Sequence, residues 1–242
     1  MQSLLHPPID LTQRRNEAEW LDGTDIDPVE LESVLRDLAR FNQAFLGHYP
    51  LIHWLGRAVS VAPKGTPLTV VDVGCGYGDL LRAIRRWSRR RRVELNLIGI
   101  DLNPETIRIA RKATDAADEI EFRLMNAFQL GSAMPVDFIV SSLVAHHLSD
   151  PEITELLRLM ERVARRGWAI YDLQRSRFLY HFIGLAARLA RLHPMIVHDG
   201  QISVTRSLTR PEWQERIAEA GISPADAPIR WFFFRFLIGR WR

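Results

Sequence analysis

Cysteine, membrane-length apolar runs and a strong charge of either sign are three things this sequence has little of. Its 242 residues include one cysteine, Cys75, so the chain can form no internal disulfide and no Cys-x-x-Cys metal site. Lysine and arginine (32 residues) nearly balance aspartate and glutamate (29 residues), which leaves a net charge of +3. Nearly all the basic residues are arginines, and this mild excess is weak support for an anionic partner.

Targeting and membrane-spanning patterns are also missing. Residues 1–10 show no basic segment followed by a long apolar one, which argues against a signal peptide. No apolar run approaches the length that crosses a bilayer, and the most apolar stretch, Phe178 to Val197, is interrupted by Arg188 and Arg191. We therefore expect a globular, cytoplasmic protein with no transmembrane segment, while the sequence leaves its oligomeric state open.

The pattern divides the chain into a cap and a main domain. Residues 1–62 are predicted to form a helical cap, in which Asp27-Pro28-Val29-Glu30 is a typical helix start. Residues 63–242 are predicted to form the main domain, with a helical insert over residues 174–200. Beyond the insert, the pattern predicts a sixth strand over Ile202–Ser207, a helix over Arg210–Ala220 and a final strand over Ile229–Ile238.

Strands and helices alternate between residues 68 and 173. Such alternation builds a parallel sheet with helices on both faces, and right-handed crossovers bring the carboxyl ends of the strands to one edge, where ligands bind. The five predicted strands are Leu68–Val73, Leu95–Asp101, Ile120–Met125, Val136–Ser141 and Trp168–Leu173.

The most informative segment is the glycine-rich turn after the first strand, VVDVGCGYGD over residues 70–79. Its glycines at 74, 76 and 78 permit backbone angles that other residues resist, and they let a ligand approach the main chain. The next strand ends in Asp101, whose position suits the two hydroxyls of a ribose. Several nucleotide-binding folds share these features, so a dinucleotide-dependent dehydrogenase stays possible at this point.

The order of three motifs narrows the choice. VVDVGCGYGD, then GIDLNPETIRIAR, then DFIVSSLVAHHL resembles the core of class I S-adenosylmethionine-dependent methyltransferases over about Leu68 to Asp172. The resemblance implies an α/β fold, with a Rossmann-like, mostly parallel sheet of seven strands, helices on both faces and S-adenosylmethionine as the cofactor. The tail is similar to the ending of that fold, in which a helix lies between two late strands.

The resemblance also implies roles around the glycine turn. Gly74, Gly76 and Gly78, with Cys75 among them, would line the methionine part of the cofactor. Asp72 would support that loop and the cofactor's amino group.

Further roles follow for the next strand ends. Asp101 would hold the ribose, and Leu102 would pack on the adenine. Asn126-Ala127 would cap the adenine edge, although many members have Asp where this chain has Asn126. Ser141 and Ser142 would end the fourth strand beside the methyl donor.

The tail carries a second resemblance. DLQRSRFLY, from Asp172, and VHDGQISVTRSLTRPEW, from Val197, look like a bacterial subgroup of these enzymes that acts on small phenolic or polyketide-like molecules. This implies a hydrophobic, aromatic acceptor beneath the cap. The candidate pocket residues are Trp20, Asn42, Phe45, Asp172, Arg175, Phe182 and His198.

Several of these positions have ordinary structural interpretations as well. Asp172 and Arg175 could hold a polar acceptor group or take part in an ion pair that pins the cap. His198-Asp199-Gly200 reads as a loop, where a His–Asp pair could make a base but a turn is the commoner outcome. The apolar face from Phe178 to Leu189 could roof an acceptor or be core, and Trp231 to Phe234 reads as a buried strand.

His146 and His147 follow the fourth strand, where the acceptor should sit. Methyl transfer is an in-line displacement in which the protein mainly positions the reacting groups, but a phenol or carboxyl acceptor can need a base, and neutral histidine suits that role. Alternatively, one histidine caps the next helix or bonds a backbone carbonyl. Two adjacent histidines with no third ligand nearby make a poor metal site, so we predict no metal.

The strongest charge run, RRWSRRRR over residues 85–92, could grip phosphates. It falls at the end of the first helix of the sheet domain, away from the predicted cofactor, so a solvated face is the better interpretation and nucleic acid is not expected as a partner. The sequence thus favours methylation of a small hydrophobic acceptor, with oxygen preferred as the methylated atom. An RNA or protein methyltransferase and a non-catalytic S-adenosylmethionine-binding protein are the alternatives.

Overall fold

A computed structural model describes residues 9–23, 26–44, 47–62, 65–131 and 135–242. These residues form one seven-stranded sheet in the order β3-β2-β1-β4-β5-β7-β6, in which β1 to β5 are parallel and β7 runs antiparallel to β5 and β6. The Rossmann-like, mostly parallel sheet predicted from the sequence is confirmed. The strands are β1 Leu68–Val73, β2 Leu95–Asp101, β3 Ile120–Leu124, β4 Phe138–Ser142, β5 Gly167–Leu173, β6 Ile229–Phe232 and β7 Arg235–Trp241.

Helices cover both faces of the sheet. Alternate residues of a strand point to opposite faces, so each strand contributes side chains to two separate cores. Val71 and Ile139 enter one apolar core with residues of the fifth and eighth helices, whereas Val70 and Phe138 enter a second core with residues of the second, third and fourth helices. The helices are α1 Pro28–Ala44, α2 Tyr49–Ser60, α3 Asp79–Arg91, α4 Pro104–Lys112, α5 Asp150–Val163, α6 Arg177–Leu189, α7 Pro194–Arg206 and α8 Arg210–Glu219.

The strand order fixes where a ligand can bind. β1 lies between β2 and β4, so the chain leaves β1 in one direction and later returns on its other side. A crevice opens at the carboxyl ends of the strands at such a switch point. The glycine turn after β1 and the histidine pair after β4 both follow strand ends at this crevice.

The predicted sixth strand over Ile202–Ser207 is wrong, because these residues continue α7. His193 caps this helix and Pro194 is its first residue, which are the usual start signals. Residues 202–206 are all buried, since α7 contacts α1, α6 and residues 145–147, which we call the histidine loop. A helix buried on most sides lacks a polar face and therefore hides its helical period. The insert consequently holds two helices, and residues 198–200 are helical rather than a loop.

The predicted final strand is also wrong in part, because residues 229–238 form a hairpin. Phe233 and Phe234 turn the chain with positive φ angles of 43° and 60°. The helix α8 precedes β6, so no helix separates the last two strands. Trp231 (50% exposed) lies on the edge strand β6 and Phe233 (56% exposed) lies in the turn after it, so neither is buried as predicted. Tight hairpin turns usually carry Asn-Gly or similar pairs, so Phe-Phe gave no turn signal.

The arginine run lies at the end of α3, away from the crevice. Arg86 and residues 89–92 are exposed, in agreement with the solvated face predicted from the sequence. Arg85 is the exception, since it is buried and its guanidinium donates to the carbonyl oxygens of Leu95, Asp118 and Glu119. Among the described residues, no helix is both long and apolar enough to cross a membrane.

Candidate active site

The glycine turn forms one wall of the crevice. Gly74, Gly76 and Gly78 all have positive φ angles, 69°, 50° and 74°. A Cβ on Gly74 would lie 2.4 Å from a methyl of Val144, and one on Gly78 would lie 2.8 Å from the Phe122 ring. A Cβ on Gly76 would meet nothing within 4 Å. The middle glycine therefore borders open space, as a turn that cradles a ligand requires.

Asp101 ties this turn to the end of β2. Its carboxylate accepts the N–H of Gly76 at 3.1 Å and the N–H of Asn103 at 3.0 Å. Burial raises the pKa of Asp101, while its backbone hydrogen bonds and a charge on His147 act in the opposite direction. Next to it, the Leu102 side chain is 68% exposed, which leaves an apolar surface at the strand end. The ribose and adenine roles of these two residues stay predictions.

Asp72 is the clearest sign of a missing partner. Its side chain is buried at the end of β1, and its Oδ1 has no hydrogen-bond partner among the described residues. Burial raises the pKa of Asp72 well above its usual value, and the charges of Asp79 and Asp101 add to this effect. An unpaired buried acceptor is costly unless a donor arrives. The ammonium group of a methionine moiety is such a donor, so the residues present fit S-adenosylmethionine.

Other predicted cofactor residues have structural contacts of their own. Asn126 Oδ1 accepts the Phe128 N–H at 3.0 Å and so caps the short helix that begins at Ala127. The Ser141 hydroxyl donates to the Val73 carbonyl at 3.1 Å and links β4 to β1. Ser142 is half-buried at the end of β4. Burial also raises the pKa of the Cys75 thiol. The predicted cofactor roles of these residues remain untested.

His146 is fixed by the end of the neighbouring strand. Its backbone N–H donates to Asp172 Oδ2 at 3.0 Å, and its Nδ1 lies 2.6 Å from Asp172 Oδ1. Although burial opposes it, the charge and hydrogen bond of His146 lower the pKa of Asp172. Both side chains are almost fully buried. Asp172 thus sets the orientation of the imidazole and leaves Nε2 facing away from it.

Glu19 meets both histidines from the other side. Its Oε1 lies 3.7 Å from His146 Nε2, and its Oε2 lies 3.9 Å from His147 Nε2. His147 Nδ1 in turn lies 3.0 Å from Asp22 Oδ1. Burial raises the pKa of Glu19 to about 7, although His147 and the Ser203 hydroxyl oppose this. The sequence analysis missed Glu19 and Asp22 and was therefore wrong that no third ligand lies near the pair.

Two guanidinium groups hold the histidine loop in place. Arg206 donates to the carbonyl oxygens of His146 and His147 at 3.0 and 2.9 Å and to Asp22 at 2.8 Å. Arg14 donates to the His146 carbonyl at 3.0 Å and to Asp150 at 2.7 Å. Neither arginine stands out in the sequence, because each acts on residues that are far away along the chain.

Two of the predicted pocket residues lie beside this cluster. The Trp20 indole stacks on the His198 ring with centroids 3.8 Å apart and an angle of 14°. Asp199 accepts the backbone N–H groups of Trp20 and Leu21, each at 2.9 Å. The carboxylate of the predicted His198–Asp199 pair therefore also caps the short helix that follows Glu19.

Of the remaining predicted pocket residues, Arg175 and Asn42 contact other polar side chains, and Phe182 joins an apolar cluster. Arg175 pairs with Glu212 of α8 at 2.5 Å, not with Asp172, and its contact with the cap is a hydrogen bond of 3.0 Å to the Leu11 carbonyl. Asn42 Oδ1 accepts from Arg235 at 3.0 Å. Phe182 packs against a small buried cluster that Leu143, just after β4, also contacts. Phe45 lies outside the described residues.

Aromatic rings from α6 and the β6–β7 turn form a partly exposed patch at the crevice. The rings of Phe178 and Phe234 stack with centroids 4.7 Å apart, and those of Phe182 and Phe233 meet edge to face at 6.3 Å. The Trp231 indole donates to Gln174, directly after β5, at 2.8 Å. The sequence indicated the α6 part of this patch as a possible roof over an acceptor, but it missed the part from residues 231–234, which was assigned to a buried strand.

A further histidine contact lies at the start of α3. His48 Nε2 is 2.7 Å from Asp79 Oδ2, while His48 Nδ1 has no partner among the described residues. His48 also lines a surface cavity of about 220 Å³ with Gln43, Gly47, Tyr49 and Ile52. The sequence analysis did not single out His48, because its partner is fixed only by the docking of α2.

Comparisons with known proteins agree with the domain and the fold described above. Residues 70–167 match a family described as a methyltransferase domain. Ribosomal protein L11 methyltransferase of Hydrogenovibrio crunogenus is 32% identical over 97 residues, which are 40% of this chain and 30% of that protein. The chain thus aligns with less than a third of that relative's length, so the match speaks for a shared domain rather than for a shared acceptor.

Solved structures show the same fold. Magnesium protoporphyrin IX methyltransferase from Synechocystis PCC 6803, solved with S-adenosylhomocysteine bound, has a TM-score of 0.55 and 15% identity, over 92% of this chain and 90% of that one. Human N-acetylserotonin methyltransferase in complex with S-adenosylmethionine has a TM-score of 0.61 and 13% identity, over 89% of this chain and 56% of that one. The match over residues 70–167 agrees with the methyltransferase resemblance of the sequence motifs, and the solved structures agree with the predicted fold.

Proposed function

We propose that this chain is an S-adenosylmethionine-dependent methyltransferase that methylates a hydroxyl oxygen of a small aromatic acceptor. The observation that carries the proposal is the cluster of Glu19, His146 and His147, held by carboxylates at the crevice into which the glycine turn opens. A titratable cluster at the mouth of a binding crevice is a candidate site for proton transfer.

The cofactor would lie along the glycine turn. The unpaired Oδ1 of Asp72 would accept from its ammonium group, Asp101 would accept from the ribose hydroxyls, and Leu102 would cover the adenine. The bound sulfonium supplies an electrophilic methyl group and a good leaving group. Burial raises the pKa of Asp72 and of Asp101 at this wall, and a ligand with a cationic amine and a cationic sulfur would favour the charged form of both carboxyls.

Oxygen methylation releases a proton, and the cluster offers a group to receive it. His147 is its most exposed member, with 31% of its side chain accessible, and Asp22 holds its Nδ1. A charge on His147 would also lower the pKa of Asp101, so the two groups are within electrostatic reach of each other. We assign His147 as the candidate proton acceptor and His146, which is buried and fixed by Asp172, as a positioning residue.

The aromatic patch supports an apolar acceptor. Phe182 and Phe234 of the patch pack against the same small buried cluster as Leu143, which directly follows β4 and precedes the histidine loop. Phe178, Trp231 and Phe233 leave half or more of their surfaces exposed and could stack on a planar ring. The exposed arginines of α3 lie at the far edge of the sheet, which disfavours RNA as the acceptor.

A two-stage assay tests the proposal. The first stage measures calorimetric binding of S-adenosylmethionine, with NAD as a control. The second follows transfer of a labelled methyl group to a panel of phenols and to their methoxy and amino counterparts. Transfer to phenols alone, with kcat lowered in His147→Ala but not in His53→Ala, is the expected result. Transfer only to amines, or to RNA or protein, would contradict the assignment of the acceptor.

A further inference from the structure

We propose that Glu19, His146 and His147 together bind a divalent transition-metal ion, Zn²⁺, at the acceptor side of the crevice. The three residues come from two separate parts of the chain, the segment before α1 and the loop after β4. Their candidate ligand atoms all lie within 4.8 Å of one another. Two histidines and one glutamate are an established ligand set for zinc.

The distances within the cluster suit an ion better than a direct contact. The two gaps between Glu19 and the imidazoles are 3.7 and 3.9 Å. These gaps exceed hydrogen-bond length, which is about 2.7–3.2 Å. Ligands about 2.0–2.2 Å from a tetrahedral zinc ion lie about 3.3–3.6 Å apart, so a small side-chain movement would complete the site.

Two other histidine–carboxylate pairs close up, whereas the more exposed pair of His193 and Glu30 stays 3.4 Å apart. His48 and Asp79 approach to 2.7 Å, and His198 and Asp199 approach to 2.8 Å. Glu19 is instead buried against two imidazoles without a hydrogen bond to either. Because the Nδ1 atom of each imidazole lies at another carboxylate, each neutral ring presents a lone pair at Nε2. Acceptor atoms of all three side chains therefore converge, which a cation between them would satisfy.

The outer contacts are those of a metal site. Each imidazole has its Nδ1 at a carboxylate, His146 at Asp172 (2.6 Å) and His147 at Asp22 (3.0 Å). Both Nε2 atoms are thereby turned towards Glu19. Ser203 donates to Glu19 Oε1 at 2.8 Å and fixes the third side chain. Metal-binding histidines usually donate their second ring N–H to a carboxylate, which sets the tautomer and strengthens the ligand.

The site has an open side. Three protein ligands leave at least one position of a zinc ion for water or substrate, as in catalytic zinc sites. His146 and Glu19 are buried, whereas His147 is partly accessible, so the open position lies on the His147 side. The ion would therefore face the crevice and not the protein interior.

The role of the ion, though not its binding, rests on the proposed function. A hydroxyl oxygen of the acceptor would coordinate the open position, and the ion would lower the pKa of that hydroxyl. The proton leaves to water, an oxygen lone pair attacks the methyl carbon, and the C–S bond breaks with its electrons on sulfur. Because both imidazoles are then ligands, the ion replaces His147 as the group that assists deprotonation.

Metal content gives a test that does not depend on activity. Tag-free protein is stripped with a chelator, dialysed and titrated with Zn²⁺ against a chromophoric chelator, and Co²⁺ is then bound for its visible spectrum. One ion per chain is expected for the wild type and for His53→Ala, which removes an exposed histidine. Loss of an outer-shell residue alone costs about 10–100-fold in affinity, so Glu19→Gln and His147→Ala should lose at least about 100-fold.

Two outcomes would overturn the metal site. One is a folded wild-type chain, checked by circular dichroism, that takes up no ion; the other is Glu19→Gln binding zinc as tightly as His53→Ala. A chain that binds no metal but methylates phenols in the presence of a chelator would leave the proposed function intact. A chain that binds zinc through Glu19 but methylates no phenol would retain the metal site and refute the acceptor.

Discussion

The glycine turn and the histidine cluster form two sides of one crevice but are built differently. The turn is a single stretch of chain, from Val73 to Asp79, whose shape depends on positive φ angles and backbone hydrogen bonds. The cluster joins Glu19 to a loop more than a hundred residues later, and side-chain contacts hold it together. The first kind of site is encoded locally, whereas the second exists only after the whole domain has packed.

This difference implies different sensitivities to mutation. A change in the turn should act on the cofactor through the space it fills. A change in the cluster should act on the chemistry through the orientation of a neighbouring side chain. A turn variant that lowers the rate of methyl transfer without weakening cofactor binding, or a cluster variant that weakens cofactor binding, would contradict this distinction.

The largest effect is expected for Asp172→Asn. Asn keeps the shape but cannot accept from His146 Nδ1 and its backbone N–H with the strength of a carboxylate, so the imidazole loses its fixed orientation. Removal of an acid–base group costs about 10²–10⁴-fold in rate, and because His146 positions the candidate acceptor His147 and does not itself take the proton, we expect a loss of no more than about 10²-fold. Single-turnover methyl transfer measures the effect on the histidine cluster, and calorimetric cofactor binding measures the effect on the glycine turn.

Asp22→Asn is the matched control for that variant. Asp22 holds His147 as Asp172 holds His146, but its side chain is 37% exposed, so water can partly replace it. We expect a smaller loss of rate for Asp22→Asn and nearly unchanged cofactor affinity in both variants. Equal losses, or a loss of cofactor affinity in Asp172→Asn, would mean that the two sides of the crevice are not separable.

Gly76→Ala should act on the cofactor side alone. The new Cβ meets no protein atom within 4 Å, so the folded chain bears mainly the strain of a positive φ angle, about 1–2 kcal/mol. In the complex, the same Cβ would occupy the cradle. Crowding of this kind costs about 1–3 kcal/mol, which corresponds to about 10–100-fold in cofactor affinity.

Gly65→Ala separates the strain from the crowding. Gly65 also has a positive φ angle, 99°, with nothing near its Cβ, but it lies before β1 and away from the crevice. Chemical unfolding should show similar losses of stability for the two variants. Only Gly76→Ala should weaken the binding of S-adenosylmethionine, and unchanged binding would remove the turn from the cofactor site.

The same contrast explains what the sequence could predict of the fold. β1 and β2 begin and end where the apolar pattern and the glycine turn indicated, because strand burial on both faces leaves a continuous local signal. The helix α7 was missed because it is buried on several sides and shows no polar face. The hairpin turn at Phe233 was missed because its left-handed residues are aromatic.

The candidate site divides in the same way. Gly76 and Asp101 were predicted from the glycine motif, its spacing and the family resemblance, and a hydrogen bond of 3.1 Å joins them. Glu19 was missed, since nothing near it in sequence marks a functional carboxylate. Its partners are fixed by the packing of α7 and by Arg206, which are properties of the folded chain.

Asp72→Asn should improve stability and weaken binding. Because burial raises the pKa of Asp72 above its value in the unfolded chain, its stability contribution is lost as pH rises above that unfolded value. At pH 7 the Asn variant should therefore be more stable than the wild type without cofactor, by about 1–3 kcal/mol. Cofactor affinity should fall by about tenfold, the equivalent of about 1.4 kcal/mol. Urea unfolding would measure the stability of the wild type and of Asp72→Asn, and calorimetry would measure their cofactor affinity. A variant less stable than the wild type would contradict the conclusion that the Asp72 carboxylate is unpaired.

The smallest effect concerns Cys75, which lies inside the rigid turn. Burial raises the pKa of its thiol, and only the thiolate reacts with disulfide reagents. The folded chain should therefore react slowly with Ellman's reagent at pH 8, and the same chain in urea should react at once. Saturating S-adenosylmethionine should slow the native reaction further, because labelling needs a local opening of the turn that the cofactor opposes. Rapid labelling of the native chain would show that the turn opens readily and that its backbone is not the rigid side of the crevice.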